Sequence, residues 1–139
     1  GLRYLDAVLP RAGESVEQYL VGGLHGIEFN ATQRYRLTES VFGTDTGPLV
    51  RTGTLVTRVH RMTAPLGFPP DMQPNGLMIN PKFEVKEARA HAVIDTDHFV
   101  EGSMPIDMDI LDKQVLSLHA TIKSVFGATT TDNARDAWA

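Results

Sequence analysis

The stretch that decides the fold runs Ala31-Thr-Gln-Arg-Tyr-Arg-Leu-Thr-Glu-Ser-Val-Phe-Gly-Thr44, turns through Asp45-Thr-Gly-Pro48, and returns as Leu49-Val-Arg-Thr-Gly-Thr-Leu-Val-Thr-Arg-Val-His60. In its first limb Tyr35, Leu37 and Val41 share one side. Arg34, Arg36, Thr38 and Ser40 share the other. A period of two residues is that of a half-buried strand, whose side chains point alternately to opposite faces. Asp-Thr-Gly-Pro has turn chemistry. The second limb is rich in Val, Thr and Leu, as a returning strand is, and Gly53 marks a bulge in it. The two limbs form a hairpin whose polar face carries several arginines.

Working outward, Leu2–Leu9 reads as a strand stopped by Pro10, which cannot continue a ladder. Glu14–Leu20 places Val16, Tyr19 and Leu20 at helical spacing and predicts a short helix. Val21–Ile27 holds Gly22, Gly23 and Gly26 and reads as a loop. Thr63–Asn75, with Pro65, Gly67, Pro69, Pro70 and Pro74, predicts a stiffened loop, and Gly76–Asn80 a short apolar strand. Arg89–Val100 is a strong strand, with Val93, Asp95, Asp97 and Phe99 to one side and Ala92, Ile94, Thr96, His98 and Val100 to the other. After a loop at Gly102–Pro105, Asp107 or Asp109 caps the longest helix, where a carboxylate accepts the free first-turn amides. Leu111, Val115, Leu118, Ile122 and Phe126 form its apolar stripe and Gly127 its stop. A last short helix starts at Thr129–Thr131 on a Thr cap, and Ala134, Ala137 and Trp138 fold it back onto the body. Consecutive strands joined by tight turns, then one long amphipathic helix, predict an α+β domain: an antiparallel sheet covered by a C-terminal helix plus short helices.

The chain has 139 residues, 42% hydrophobic and 22% charged. That length suits a single domain of the usual size of about 100–150 residues. The absence of cysteine excludes disulfides, cysteine-ligated metals and thiol catalysis, and it fits a reducing cytoplasm, the localisation expected. No run of about 18 apolar residues is present to span a membrane. The net charge of −4 argues against a general nucleic-acid binder, which needs clustered positive charge. Charge is segregated along the chain. Between Arg34 and Arg61 lie five arginines (Arg34, Arg36, Arg51, Arg58, Arg61) against Glu39 and Asp45. Between Asp95 and Asp112 lie six acids (Asp95, Asp97, Glu101, Asp107, Asp109, Asp112) and no Lys or Arg.

Gly1-Leu-Arg-Tyr4, Asp95-Thr-Asp-His-Phe99, and Leu111–Trp138 with Leu118-His119, Phe126, Thr130 or Thr131 and a closing Trp follow one another in an order that resembles the C-terminal half of an uncharacterised, sporadically distributed bacterial protein family. The chain departs from it at Leu5-Asp6, where Ile-Asn is more usual. The resemblance implies a bacterial protein with a missing N-terminal half that would suit a duplicated helix-on-sheet fold. It supplies no catalytic residues.

Three residue groups carry candidate chemistry. Arg34, Arg36, Arg51 and Arg58 with Tyr35 combine cations with an aromatic, the raw material of an anion or single-strand binding face; the structural alternative is a solvated sheet face paired with acids. Asp95, Asp97 and His98 invite a hard-cation or acid–base reading, but a regular strand turns His98 away from both carboxylates, and cross-strand pairing with arginines is the structural alternative. His25 and Glu28 lie one turn apart if helical, which three nearby glycines oppose. His119 reads as a boundary histidine on the long helix. No Gly-x-Ser-x-Gly elbow, phosphate loop or dinucleotide fingerprint is present. The expectation is therefore a binding or regulatory module without a cofactor or metal, whose ligand surface is the arginine-bearing hairpin and whose partner is its missing half, another protein or a second copy. The alternative is a small hydrolase or isomerase using Asp95, Asp97 and His98, or His25 and Glu28.

Overall fold

The computed structural model describes residues 1–47, 52–67, 85–103 and 107–139. In chain order these give β1 (Leu2–Val8), two single 3-10 turns (Val16–Gln18 and Gly22–Leu24), β2 (Tyr35–Asp45), β3 (Thr52–Ala64), β4 (Arg89–Val100), α1 (Met108–Thr129) and α2 (Asp132–Trp138). The four strands form one sheet in the order β1-β4-β3-β2, every neighbouring pair antiparallel. With both helices on one side of it, the domain is α+β. The strand expected at Gly76–Asn80, most of the loop expected at Thr63–Asn75, and Arg51 lie outside the described residues; Thr63 and Ala64 themselves extend β3.

The helix side of the sheet is set by the even positions of β4. Ala92 and Ile94 are fully buried with Val8 of β1 and Val59 of β3. Val16, Tyr19 and Leu20 close over them from the segment after β1, and Ala134 from α2. Each fully buried Val, Leu or Ile contributes about 1.5–3 kcal/mol to folding. The Tyr19 amide carbonyl accepts from the Thr131 amide at 3.1 Å and the Val21 amide donates to the Thr129 carbonyl at 3.1 Å. These bonds tie the N-terminal segment to the helix junction through the Leu20–Thr130 bridge. Trp138 lies beside the Tyr19 and Phe126 rings, with centroids 6.1 and 5.6 Å away.

Several local readings are corrected. Glu14–Leu20 is not a helix: only Val16–Gln18 turns, with the Ser15 amide held by the Gln18 side chain at 2.7 Å, because Leu20 is drawn off to bridge Thr130. Gly53 is not a bulge, since its register with Thr44 and Val100 is unbroken. A Cβ there would meet Thr44 Oγ1 and Thr46 Cγ2 at 2.7 Å and His98 Nε2 at 3.2 Å; glycine is required for close approach. Gly127 does not stop α1, which runs on to Thr129. The Thr129 and Thr130 hydroxyls both donate to the Phe126 carbonyl, at 2.9 and 2.8 Å, and Thr130 then leaves in extended backbone. Asp107 caps α1, accepting from the Asp109 and Ile110 amides, and Thr131 caps α2.

The α1 stripe is rotated toward its N-terminus. Leu118 and Ile122 are buried, but Leu111 and Val115 are exposed and Gln114 is buried instead. Its Nε2 donates to the Thr46 carbonyl at 3.0 Å. The first turns of α1 therefore lie against polar backbone just past the end of β2, and an amide side chain is what that contact needs. Thr57 and Thr96, direct register partners, bury hydroxyls that make no hydrogen bond.

Asp6 stands on this same helix side of β1, opposite Ile94, and burial raises its carboxyl above the ordinary aspartate range. A carboxyl with a raised folded pKa binds its proton more tightly folded than unfolded, so the wild-type chain loses stability as pH rises from the ordinary range through the raised value. Asp6→Asn removes that loss. Its melting temperature is expected to exceed the wild type's at pH 7 and to match it below about pH 3. Equal differences at both pH values would contradict this.

Candidate functional site

The sheet face opposite the helices is built from the odd positions of β1, β2 and β4 and the even positions of β3. Arg3 and Leu5 come from β1, Asp95 and Asp97 from β4, Val56, Arg58 and His60 from β3, and Tyr35, Leu37, Glu39 and Val41 from β2. Charges alternate in sign across it. Arg3 donates through Nε and Nη2 to the two Asp95 oxygens, both at 2.8 Å. Arg58 Nη1 lies 3.7 Å from the same carboxylate, and its Nε donates to Glu39 at 2.6 Å. Arg3, Asp95, Arg58 and Glu39 thus form one line of paired charge over β1, β4, β3 and β2. Asp95 is 1% exposed, so its two cations are what permit a carboxylate to stay there.

Beside this line the sidedness of β2 is the reverse of a strand whose apolar side faces the core. Arg36, Thr38 and Ser40 are the half-buried positions, turned toward the helices. Tyr35, Leu37 and Val41 are 55, 45 and 61% exposed on the open face. Tyr35 shares a hydrogen bond with His60 Nδ1 at 3.1 Å, which fixes its ring on the open side.

The arginine group is divided by this pleat. Arg58 and Tyr35 stand on the open face. Arg36 is on the helix face, directly opposite Arg61, with its Nε donating to Thr38 Oγ1 at 3.2 Å. Arg34 is exposed just before β2. Arg61 pairs with Glu17 and donates to the His25 carbonyl, and desolvation lowers its pKa.

The acidic group is divided in the same way. Asp95 and Asp97 share the open face, while His98 is fully buried beneath α1. Its Nδ1 lies 3.1 Å from the Leu118 carbonyl and its Nε2 2.7 Å from Thr44 Oγ1. A carbonyl only accepts, so Nδ1 carries the proton and Nε2 accepts from the threonine hydroxyl. Both ring nitrogens are spent on structure, and His98 does not meet Asp95 or Asp97. His119 is exposed on α1 and bonds the Tyr4 hydroxyl at 3.1 Å. Among the described residues no group of three or more His, Asp or Glu is placed to hold a metal ion.

His25 and Glu28 line the same cleft. It has a volume of about 580 Å³ and is lined also by Glu17, Ile27, Phe29, Gln33 and Arg61. Gly26, at φ +120°, lets the Gln33 amide pack where a Cβ would come within 2.8 Å of it. His25 Nε2 is 2.6 Å from the Leu20 carbonyl, so that nitrogen is the donor and the ring is held in place by backbone.

No protein-family model, curated protein or solved structure matches the chain. No helix among the described residues is long and apolar enough to cross a membrane.

The sequence reading missed Arg3, Glu39 and Gln114. Arg3 was legible: period two from Leu2 places it on the side of the sheet that Asp95 takes once β1 pairs with β4. Glu39 had the same signal, lying two residues from Leu37 and Val41. Gln114 had only its spacing of four from Leu118, a weak signal for a polar residue.

Proposed function

We propose that the chain is a non-enzymatic binding module and that it binds protein through the open sheet face centred on Tyr35, Leu37 and Val41. The observation that carries this reading is the outward exposure of three large apolar side chains on one strand face. Contiguous exposed apolar surface beside a polar rim is characteristic of protein contact sites. The arginines support the reading in a changed role. Arg58 and Arg3 are neutralised by Asp95 and Glu39, so the rim is a paired polar border, and Arg34 is the exposed cation at its edge. A bacterial, cytoplasmic setting is the expectation that accompanies the reading. Among the described residues that face shows no cluster of unpaired positive charge, which speaks against nucleic acid as its ligand.

Panning a random peptide display library against the intact chain tests this. Enriched peptides are expected to lose binding to Leu37→Lys/Val41→Lys while keeping it for Glu28→Gln. Peptides indifferent to the double substitution would overturn the open face as the binding surface. A second reading, a small hydrolase or isomerase, retains only the cleft lined by both His25 and Glu28, and dependence of binding on Glu28 alone would favour that cleft.

A further inference from the structure

We infer that the cleft lined by Glu28 and Phe29 binds a guanidinium or amidinium group carried on an apolar stem. The cleft lies on the helix side of the sheet, where Arg61 stands. It is therefore a second site, and it shares no residue with the open face. Its volume of about 580 Å³ falls within the range of about 300–1,000 Å³ that small-ligand sites occupy. Its apolar wall is uncovered. Ile27 and Phe29 flank Glu28 in sequence and are each 80% exposed, the most exposed large apolar side chains among the described residues.

Charge decides the sign of the ligand. Glu17, His25, Glu28 and Arg61 are the ionisable side chains among the lining residues. Glu17 is spent on Arg61, which also donates to the His25 carbonyl. His25 Nε2 donates to the Leu20 carbonyl at 2.6 Å, so Nδ1 of the neutral ring is left as an acceptor. Glu28 is exposed and makes no hydrogen bond or ion pair with any described residue. Arg36, opposite Arg61 in register, donates to Thr38 at 3.2 Å and does not line the cleft. The lining thus carries one uncompensated negative charge, which favours a cation and opposes an anion. The aromatic ring beside that carboxylate selects among cations. A guanidinium or amidinium forks onto a carboxylate through two parallel N–H bonds and stacks its plane on an aromatic face; an ammonium is a point charge that does neither. The stem that carries the group then covers Ile27.

Titration calorimetry of the intact chain with benzamidine, benzamide and benzoate is the test, since the three share one shape and differ in charge. Benzamidine is expected to bind with a Kd below about 10 mM, the level its size allows. Benzamide should bind about tenfold more weakly, and benzoate not at all. Glu28→Gln keeps the size of an exposed side chain and removes its charge. It is expected to weaken benzamidine about tenfold and to leave benzamide unchanged; a variant damaged in its fold would lose both. Phe29→Ala should weaken both probes, and Leu37→Lys/Val41→Lys, on the opposite face, neither. Butylguanidine against an arginine-containing tripeptide amide then separates the sources of the cation. Tighter binding of the peptide assigns the cleft to an arginine side chain of a protein, and equal or weaker binding to a free small molecule. No benzamidine binding up to about 10 mM, benzoate binding as tightly as benzamidine, or benzamidine binding indifferent to Glu28→Gln would each overturn the inference.

Discussion

Asp95→Ala is expected to lower the free energy of unfolding by about 2–3 kcal/mol, read from the urea midpoint at constant slope. The carboxylate is almost wholly buried and receives both arms of the Arg3 guanidinium together with the approach of Arg58. Removing it leaves two cations on neighbouring sides of a vacated site. Breaking a buried pair costs about 3–5 kcal/mol when the surviving charge is fully buried. Arg3 and Arg58 are each partly exposed, and water relieves part of that cost, which sets the lower figure. A loss under about 0.5 kcal/mol, the level of ordinary surface substitutions, would show that the charge line across the sheet contributes nothing.

His98→Ala is expected to cost about 3 kcal/mol, in the range found for emptying a ring-sized site in a core. The imidazole is the pin between α1, β4 and the end of β2. It donates to the Leu118 carbonyl, accepts from the Thr44 hydroxyl, and sits over Gly53. The alanine variant loses those bonds, leaves the Thr44 hydroxyl without its partner, and opens a void that Gly53 has no side chain to fill. Denaturant unfolding by circular dichroism measures the loss. A variant within about 0.5 kcal/mol of the wild type would return His98 to consideration as a group held for chemistry rather than for packing.

How much was legible follows from which physical signal each feature left. The sheet and the long helix were readable because period two in Tyr35–Thr44 and Arg89–Val100, and periods of three and four in Leu111–Phe126, are local patterns. The partition of β2 into two faces was readable for the same reason. Which of its faces turns inward was not. That depends on the helix side being filled by Val8, Val59, Ile94, Tyr19 and Ala134, residues far away in sequence, so that the Arg36, Thr38 and Ser40 side is the one left to half-bury. Gly53 was misread as a bulge because a glycine needed for close approach and one needed for backbone freedom look alike until Thr44 and His98 are placed against it. The candidate site was legible only in pieces. Tyr35 and Arg58 were named together with Arg36, and strand parity alone separates them. The separation of His98 from Asp95 and Asp97 was visible in that parity. The pairing of Asp95 with Arg3 spans 92 residues of sequence; strand parity put both on one face, but only the pairing of β1 with β4 sets them side by side.

The sidedness of β2 is directly measurable by thiol labelling, because the chain has no native cysteine. Val41→Cys is expected to react with a maleimide at close to the rate of a free thiol. Thr38→Cys should react several-fold more slowly, and Thr57→Cys, buried on the same helix face, more slowly still. Fast labelling at Thr38→Cys with protection at Val41→Cys would place the apolar side of the strand inward and contradict the account.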